Sequence, residues 1–402
     1  MKIAFLNAYG NGSTGRIVNK LKEVCEKDGH QVLSIYARES CVRNDKTTIK
    51  CINKIDFYID GLLTHIFDNH GLNSKFNTQK ILSKLNDFAP DIIHIHNLHG
   101  YWINYPMLFD FLKKRNQKVV WTFHDCWHFT GHCTHFDFIG CDRWKTECHN
   151  CPQLKEYPSS LGFDGSRRNF RLKKKYFTSL KELTIITPSK WLKSKVDQSF
   201  LNIYNVRVIN NGVDISVFKP SLNASKRDKI LKEGYKGVIL GCASSWNERK
   251  GLKDIIQVAK EMPQLYFVII GSVPEQSQKN RVTNNVLFIE HTENVATLCE
   301  WYSTADILVN PTLEDTYPTT NLEAIACGTP VVTYSTGGSE EIVAESEYGE
   351  VTVARNSKSL KDSIINQLHK RNLIISSNFV LDDRIKYSEY LDLYKSLEDG
   401  IL

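Results

Sequence analysis

Short apolar runs recur along the chain, and longer amphipathic stretches separate them. In the first half the strand-like runs are residues 2–7, 31–36, 92–96, 119–123 and 183–187. The stretches between them, such as residues 17–28, have the hydrophobic spacing of helices. Strands that alternate with helices form βαβ units, so the first half is predicted to contain a parallel sheet with helices around it.

The second half repeats this plan. Its strand-like runs are residues 238–242, 266–271, 286–289, 307–309 and 331–334. The sequence therefore predicts an α/β protein with two doubly wound, Rossmann-like domains, whose ligand should bind in the cleft between them. The turn-rich segment 210–220 is the expected linker. We assign residues 1–215 and 216–385 to the two domains, and residues 386–402 to a helix that crosses back to the first.

Length and composition agree with this interpretation. A chain of 402 residues is too long for one typical core. Hydrophobic residues make up 41% and charged residues 24%, as in soluble globular proteins. No apolar run approaches the roughly 20 residues that a membrane-spanning helix needs. The N-terminal MKIAFLNAYGNG is typical of a first strand rather than of a signal peptide, so a cytoplasmic protein is expected.

The segment LEDTYPTTNLEAIACGTPVV, residues 313–332, carries the clearest candidate chemistry. Thr319, Thr320 and Asn321 favour helix caps, so a helix should begin near them. The free N–H groups of a helix N-terminus bind anions such as phosphate. Asp315 and Glu323 flank this position, where carboxylates can accept hydrogen bonds from hydroxyl groups. The segment predicts a site for a polyol phosphate, and the alternative is an ordinary solvated helix cap.

A cysteine cluster lies in the loop 126–152. It comprises Cys133, Cys141, Cys148 and Cys151, with His128, His132, His135 and His149 nearby. The last two cysteines form a C-x-x-C pair, whose thiolates can bind one zinc ion. We expect the four cysteines to hold a structural zinc, because four thiolates leave no open position for a substrate. Buried free thiols and disulfides are the alternatives, although a reducing compartment disfavours disulfides.

The net charge of +6 is unevenly distributed. Residues 167–195 contain ten Lys or Arg residues and one acid. Phe170, Leu172, Tyr176 and Phe177 are interleaved with these charges, so the segment could lie on an anionic membrane surface. A solvated basic helix face is the alternative. Nucleic acid is not expected as a partner, because no binding motif accompanies the charge.

Several motifs together resemble a known family. The acidic pair Asp315 and Glu323, followed by ACGTPVV and GGSEEIV, resembles the donor-binding signature of retaining family-4 glycosyltransferases of GT-B fold. The segments GNGSTGRIV, NLHGYWINY, TFHDCWHFTGHC, INNGVD and WNERKGL resemble the branch that makes colanic acid and capsular polysaccharides. The resemblance covers nearly the whole chain, with the segments in the expected order.

The resemblance implies roles for individual residues. Glu323 would hold the nucleotide ribose, and Asp315 or its neighbour Glu314 would contact the donor sugar. Arg249 and Lys250 would bind the diphosphate, whose charge grows as the glycosidic bond breaks, so catalysis would need no metal. Further donor-binding groups would be the backbone of Pro318, Thr319, Thr320, Asn321 and Leu322, and Gly12, Ser13 and Gly15 from the other domain.

The expected catalytic residues are His124, Asp315 and Lys250. His124 follows the strand 119–123, and its family counterpart lies beside the reacting sugar, where it would position or polarise groups. Asp125 is the alternative, or it orients the histidine ring. The chain departs from the family pattern in two places. Asp315 stands where glutamate is usual, and Ser244, Ser245 and Trp246 occupy the region of an upstream arginine, for which Arg249 is the candidate replacement.

The resemblance implies a retaining glycosyltransferase that moves a hexose-like sugar from a UDP or GDP sugar to a glycan acceptor. The acceptor would be lipid-linked, in the biosynthesis of a capsule or exopolysaccharide at the inner face of a bacterial membrane. The alternatives are a nucleotide-sugar-binding protein without turnover, and a GT-B-fold epimerase or phosphorylase.

Overall fold

The computed structural model of the protein describes residues 1–38, 47–221, 223, 225–273, 283–370, 374–377 and 379–400. The chain divides into two compact units. One comprises Met1–Asn210 together with Tyr387–Leu402, and the other comprises Asn211–Lys386. The sequence placed the first boundary after residue 215. The last two residues of the expected C-terminal helix, 401 and 402, lie outside the described part of the chain.

The first unit is built on a seven-stranded parallel sheet. Its strands are β1 Lys2–Tyr9, β2 Gln31–Arg38, β3 Thr48–Lys50, β4 Ile92–Ile95, β5 Lys118–Thr122, β6 Leu183–Thr187 and β7 Asn205–Val208. Their order is β3-β2-β1-β4-β5-β6-β7. Its helices are Gly12–Lys27, Lys54–Phe67, Lys75–Phe88, Tyr105–Lys114, Ser166–Phe177 and Lys190–Asp197, with short 3₁₀ turns at Trp127–Phe129 and Arg143–Lys145. The inner strands are buried on both faces, which explains their continuous apolar runs.

The second unit contains a six-stranded parallel sheet. Its strands are β8 Val238–Ser245, β9 Tyr266–Ser272, β10 Val286–Ile289, β11 Ile307–Asn310, β12 Val331–Thr333 and β13 Gly349–Val351. Their order is β10-β9-β8-β11-β12-β13. Its helices are Ser225–Lys232, Leu252–Glu261, Val295–Thr304, Thr319–Ala326, Gly337–Ser346 and Ser357–His369, with a 3₁₀ turn at Glu248–Lys250. Chain order reverses beside β8 and β11, the kind of position where such sheets bind ligands.

The helix Asp383–Glu398 ends the regular structure, and from Tyr387 onward it belongs to the first unit. Tyr390 and Tyr394 are buried in one apolar cluster with Ile3 and Phe5 of β1. The hydroxyl of Tyr394 also lies 2.6 Å from Nδ1 of the buried His94. Residues near the two ends of the chain therefore share one core.

The predicted fold class of two doubly wound, Rossmann-like domains is confirmed. All ten predicted strands are present, and β3, β7 and β13 are additional strands at sheet edges. The basic segment has fewer apolar side chains available for contact with a membrane surface than the sequence suggested. In the helix Ser166–Phe177 the side chains of Phe170 and Phe177 are buried. No helix among the described residues combines the length and apolar character that crossing a membrane requires.

Candidate active site

The loop after β11 and the helix Thr319–Ala326 form the centre of the candidate site in the second unit. The helix begins at Thr319, and Pro318 is its N-cap residue. The predicted set of N–H donors needs correction, because proline has no N–H. The N–H of Asn321 donates to the Pro318 carbonyl at 3.2 Å. The N–H groups of Thr319 and Thr320 have no acceptor within their own helix, so they are the donors that could face an anion.

The side chains of two residues whose backbone is predicted to bind the donor have structural contacts of their own. The side chain of Leu322 is fully buried in the core of the second unit. The amide of Asn321 is also buried, and it accepts a hydrogen bond from Asn310 at 2.8 Å and donates one to Ser339 at 2.9 Å. These contacts attach the helix to β11 and to the following helix, so the Asn321 side chain stabilises the site from behind.

Two cation–acid pairs lie beside this helix start. Nζ of Lys250 is 2.6 Å from Oδ2 of Asp315, and Nε of Arg249 is 3.6 Å from Oε1 of Glu314. The Glu314 side chain is 4% exposed and the Asp315 side chain 19% exposed. Asp315 is therefore the more accessible of the two neighbouring acids.

Close backbone contacts fix this arrangement. Gly251 has φ +73°, and a Cβ atom there would lie 2.2 Å from the Pro311 carbonyl oxygen. Gly337 has φ +51°, and its Cβ atom would lie 1.8 Å from the Asp315 carbonyl oxygen. Only glycine meets both requirements. The turn that carries Arg249 and Lys250 and the helix Gly337–Ser346 therefore both pack directly against the loop that carries Glu314 and Asp315.

Glu323 lies one turn into the helix and is buried. Its Oε2 accepts a hydrogen bond from the hydroxyl of Tyr302 at 2.9 Å. Burial, with Cys242 and Glu323 nearby, raises the pKa of Tyr302 well above its usual value. Tyr302 therefore stays protonated and holds the carboxylate in one orientation.

The first unit has its own group of candidate residues at the carboxyl end of β1. The helix Gly12–Lys27 begins there, and its N-cap residue Asn11 makes no side-chain cap. A Cβ atom on Gly15 would lie 2.6 Å from the carbonyl carbon of Gly10, so the helix and the preceding turn can approach closely only with glycine. Gly12 and Ser13 are exposed. This turn therefore presents backbone N–H groups at an accessible helix start.

His124 follows β5 at the same edge of this sheet. One of its ring nitrogens, Nε2, lies 2.9 Å from Nδ1 of His96, and the two rings are stacked at 14°. Burial lowers the pKa of His124 to about 4, and it lowers the pKa of His96 well below its usual value. Both rings are therefore neutral at physiological pH. The repeated histidines of IIHIH, residues 92–96, were the sequence signal for His96, but no role was assigned to them.

The carboxylate of Asp125 contacts the ring of His99, whereas the ring of His124 was expected. Its Oδ2 is 2.7 Å from Nε2 of His99, and its Oδ1 accepts the N–H of Trp127 at 2.9 Å. Burial opposes the charge of Asp125, but His99, together with His128 and His135, outweighs this effect and lowers the pKa of the carboxyl group. The interpretation of Asp125 as an acid that orients a histidine ring therefore applies to His99.

An aromatic group surrounds His99. Tyr157, Tyr101 and His70 have ring centroids 4.8–6.1 Å apart in edge-to-face pairs. The guanidinium carbon of Arg38 lies 5.8 Å from the Tyr101 ring centre. Aromatic faces combined with polar groups suit a sugar ring, which has apolar C–H faces and hydroxyl edges. His99 and Tyr101 lie in the motif NLHGYWINY, but the motif alone assigned no role to either residue.

One small cavity is lined by the four predicted zinc ligands, Cys133, Cys141, Cys148 and Cys151, and all four are free thiols. Cys133 and Cys151 share a hydrogen bond, and the N–H of Gly131 donates to Sγ of Cys148 at 3.2 Å. Across the described residues, however, no group of three or more His, Cys, Asp or Glu side chains could hold a metal ion. The structural zinc stays a prediction.

Comparisons with known proteins agree with this architecture. The model of "Glycosyltransferase Family 4" matches residues 14–217, just over half of the chain, and the model of "Glycosyl transferases group 1" matches residues 224–378. A putative colanic acid biosynthesis glycosyl transferase, WcaC of Escherichia coli K12, is 28% identical over 278 residues. This match covers 64% of the chain and 63% of WcaC.

Two solved structures are similar over nearly their whole length. Sucrose-phosphate synthase from Thermosynechococcus elongatus has a TM-score of 0.70 at 14% identity, covering 99% of each chain. Anabaena HepE in complex with UDP-glucose has a TM-score of 0.67 at 16% identity, covering 98% of this chain and 100% of HepE. At these identities the likeness concerns the fold. With two parallel-sheet domains and a family model over half its length, the chain has the GT-B fold and belongs to glycosyltransferase family 4.

Proposed function

We propose that the protein is a retaining glycosyltransferase that moves a sugar from a nucleotide-diphosphate donor to a glycan acceptor, lipid-linked, in cell-surface polysaccharide biosynthesis. The observation that carries this proposal is the group of Lys250, Arg249 and Asp315 beside the start of the helix Thr319–Ala326. Two cations and a helix N-terminus suit a diphosphate, and an accessible carboxylate suits sugar hydroxyls.

In the proposed reaction the bond between the anomeric carbon and the diphosphate oxygen breaks. The acceptor oxygen bonds to the anomeric carbon on the same face, and its proton passes to the departing phosphate. Lys250, Arg249 and the N–H groups of Thr319 and Thr320 stabilise the negative charge that the leaving group gains. This step requires no metal or other cofactor.

Glu323 is proposed to accept hydrogen bonds from the ribose hydroxyls, with Tyr302 holding the carboxylate in place. Asp315, now paired with Lys250, would accept hydrogen bonds from the donor sugar once the diphosphate engages the lysine. Because Asp315 is more accessible than Glu314, we assign the sugar contact to Asp315.

The first unit is proposed to hold the acceptor. His124 is neutral at physiological pH, so it can donate or accept a hydrogen bond but is not a standing cation. It would position or polarise the reacting groups. The aromatic group around His99 would contact the acceptor sugar through ring faces.

The donor chemistry can be tested by nucleotide release from UDP, GDP and ADP sugars, with and without lipid-linked acceptors. UDP-glucose is the first probe, because it is the ligand named for HepE. Release from one donor, with an α-linked product from an α-configured sugar, supports a retaining transferase. A β-linked product contradicts retention. If donors bind but none is consumed with any acceptor, the proposal of turnover is wrong.

A further inference from the structure

The helix Lys54–Phe67 has an unusual distribution of side chains. Five of its apolar side chains are between 38% and 70% exposed, namely Ile55, Tyr58, Ile59, Leu62 and Ile66. Their spacing places them on one face of the helix. The buried residues of this helix are polar, namely Asp60 and Thr64. The helix therefore directs its apolar face outward.

The inward polar face is fully integrated into the fold. Asp60 accepts hydrogen bonds from Thr64 at 3.2 Å, Asn73 at 3.1 Å and Ser74 at 2.5 Å. Burial raises the pKa of Asp60, while these hydrogen bonds counteract the shift. Rotating the helix to bury its apolar face would break this network. The outward orientation of the apolar face is therefore fixed by specific contacts.

The exposed apolar surface continues beyond the helix. Phe67, its last residue, stacks on Phe163 with ring centres 5.8 Å apart, and both rings are exposed. The N–H of Leu161 donates to the His65 carbonyl at 2.9 Å, and the Leu161 side chain is also exposed. We call the exposed side chains of the helix, with Leu161 and Phe163, the apolar helix surface.

A basic helix is attached to one end of this surface. Arg168, in the helix Ser166–Phe177, donates hydrogen bonds to the carbonyls of Phe67 and Asp68 at 3.0 and 2.8 Å. The same helix exposes further cations: Arg167, Arg171, Lys174 and Lys175. Glu147 pairs with Arg167 and Arg171, so a net positive charge remains. Exposed apolar side chains next to exposed cations are the combination that binds anionic lipid surfaces.

We propose that the apolar helix surface binds the surface of an anionic phospholipid bilayer, with the helix Lys54–Phe67 lying in the interface and the helix Ser166–Phe177 contacting lipid headgroups. The expected membrane contact of residues 167–195 is thereby reassigned. The basic helix supplies charge, and the other helix supplies the apolar side chains. This inference goes beyond the proposed function, because lipid binding requires no turnover.

The test is vesicle flotation of the full chain with phosphatidylcholine vesicles, with and without 30 mol% phosphatidylglycerol. We expect binding to the anionic vesicles and at least a tenfold loss in the Ile59→Asp/Leu62→Asp variant. The matched control is Ile203→Asp/Val353→Asp, which changes two exposed apolar residues elsewhere. Lys174→Glu/Lys175→Glu should reduce binding to anionic vesicles and remove its salt dependence.

Each outcome bears on the inference. The variants Ile59→Asp/Leu62→Asp and Ile203→Asp/Val353→Asp change only exposed positions, so both should fold. Thermal unfolding checks this. Equal vesicle binding by wild type and Ile59→Asp/Leu62→Asp overturns the proposal, as does an absence of binding by the wild type. A wild-type dimer that this variant dissociates, without vesicle binding, would assign the surface to a second copy of the chain. Failure of nucleotide release leaves the vesicle result unaffected.

Discussion

The Nζ atom of Lys250 lies 2.6 Å from Oδ2 of Asp315, so the proposed phosphate-binding cation is paired with the proposed sugar-binding acid. The pair is partly exposed at the carboxyl edge of the second sheet, where Lys250 follows β8 and Asp315 follows β11. A donor diphosphate would compete with Asp315 for the lysine. Its binding would release the carboxylate for the sugar hydroxyls, so the two groups are expected to change partners together.

Lys250→Ala should lower turnover more than donor affinity, because the cation would act mainly on leaving-group charge in the transition state. We expect a fall in kcat of about 100- to 1,000-fold, the range typical of a lost charge-stabilising group. Nucleotide release gives kcat, and calorimetry gives the donor Kd. Lys253→Ala, an exposed lysine on the next helix, is the control. Equal losses in kcat and affinity would make Lys250 a binding residue only.

Glu323→Gln should weaken donor binding while leaving the fold intact. The amide oxygen of glutamine can still accept the hydrogen bond of Tyr302, but the charge-assisted bonds to ribose are lost. We expect a loss of about 1–3 kcal/mol in donor binding free energy, measured by calorimetry, with little change in Tm. Glu293→Gln, at an exposed position, is the control. Unchanged donor affinity in Glu323→Gln would refute the ribose contact.

Stability should fall on mild acidification because of the buried histidines. Burial lowers the pKa of His124 to about 4 and that of His128 to about 3. As the pH falls, such a histidine is protonated in the unfolded chain before it is protonated in the folded protein. Its contribution to the free energy of unfolding is therefore complete above about pH 6.5 and is lost as the pH falls toward its pKa in the folded protein. Each histidine contributes at most about 1.4 kcal/mol per pH unit to the slope of the free energy of unfolding against pH.

Urea unfolding at pH 7.5 and pH 5.0 measures this slope in a range above most carboxylate titrations. His124→Gln should lose less stability between the two pH values than the wild type. The same low pKa means that the acid limb of the kcat profile should not report His124. Identical losses of stability in the two proteins would contradict a neutral, buried His124.

The predicted zinc is testable by metal analysis. With four thiolate ligands we expect about one zinc per chain after purification without added metal, measured by mass spectrometry. Cys148→Ser/Cys151→Ser should lose the metal, and Cys299→Ser, a buried thiol in the second unit, should retain it. A metal-free wild type in which all four loop thiols react would show that the cluster is a group of reduced cysteines.

The sequence predicted the nine strands inside the two sheets and the edge strand β10, because their apolar runs are distinct. It missed β3, β7 and β13, which are three or four residues long and at most partly apolar, since an edge strand buries little surface. It identified the start of the helix at Thr319 from its capping residues, but it could not show that Asn321 is used structurally. In the helix Lys54–Phe67 the apolar residues are spaced three and four positions apart, which is also typical of a helix that packs against a core. Only the tertiary contacts show that its apolar face is exposed.

The packing of Tyr390 and Tyr394 against Ile3 and Phe5 has a consequence for biosynthesis. Most of the first unit, up to Asn210, is synthesised before the second unit, but part of its core is supplied by residues that are synthesised after it. Everything from Asn211 to Lys386 is synthesised in between. Although domains generally fold in the order of synthesis, here the N-terminal domain can close its core only after the second domain has been made. Until then, the apolar side chains that await the C-terminal helix remain exposed to solvent or to a chaperone.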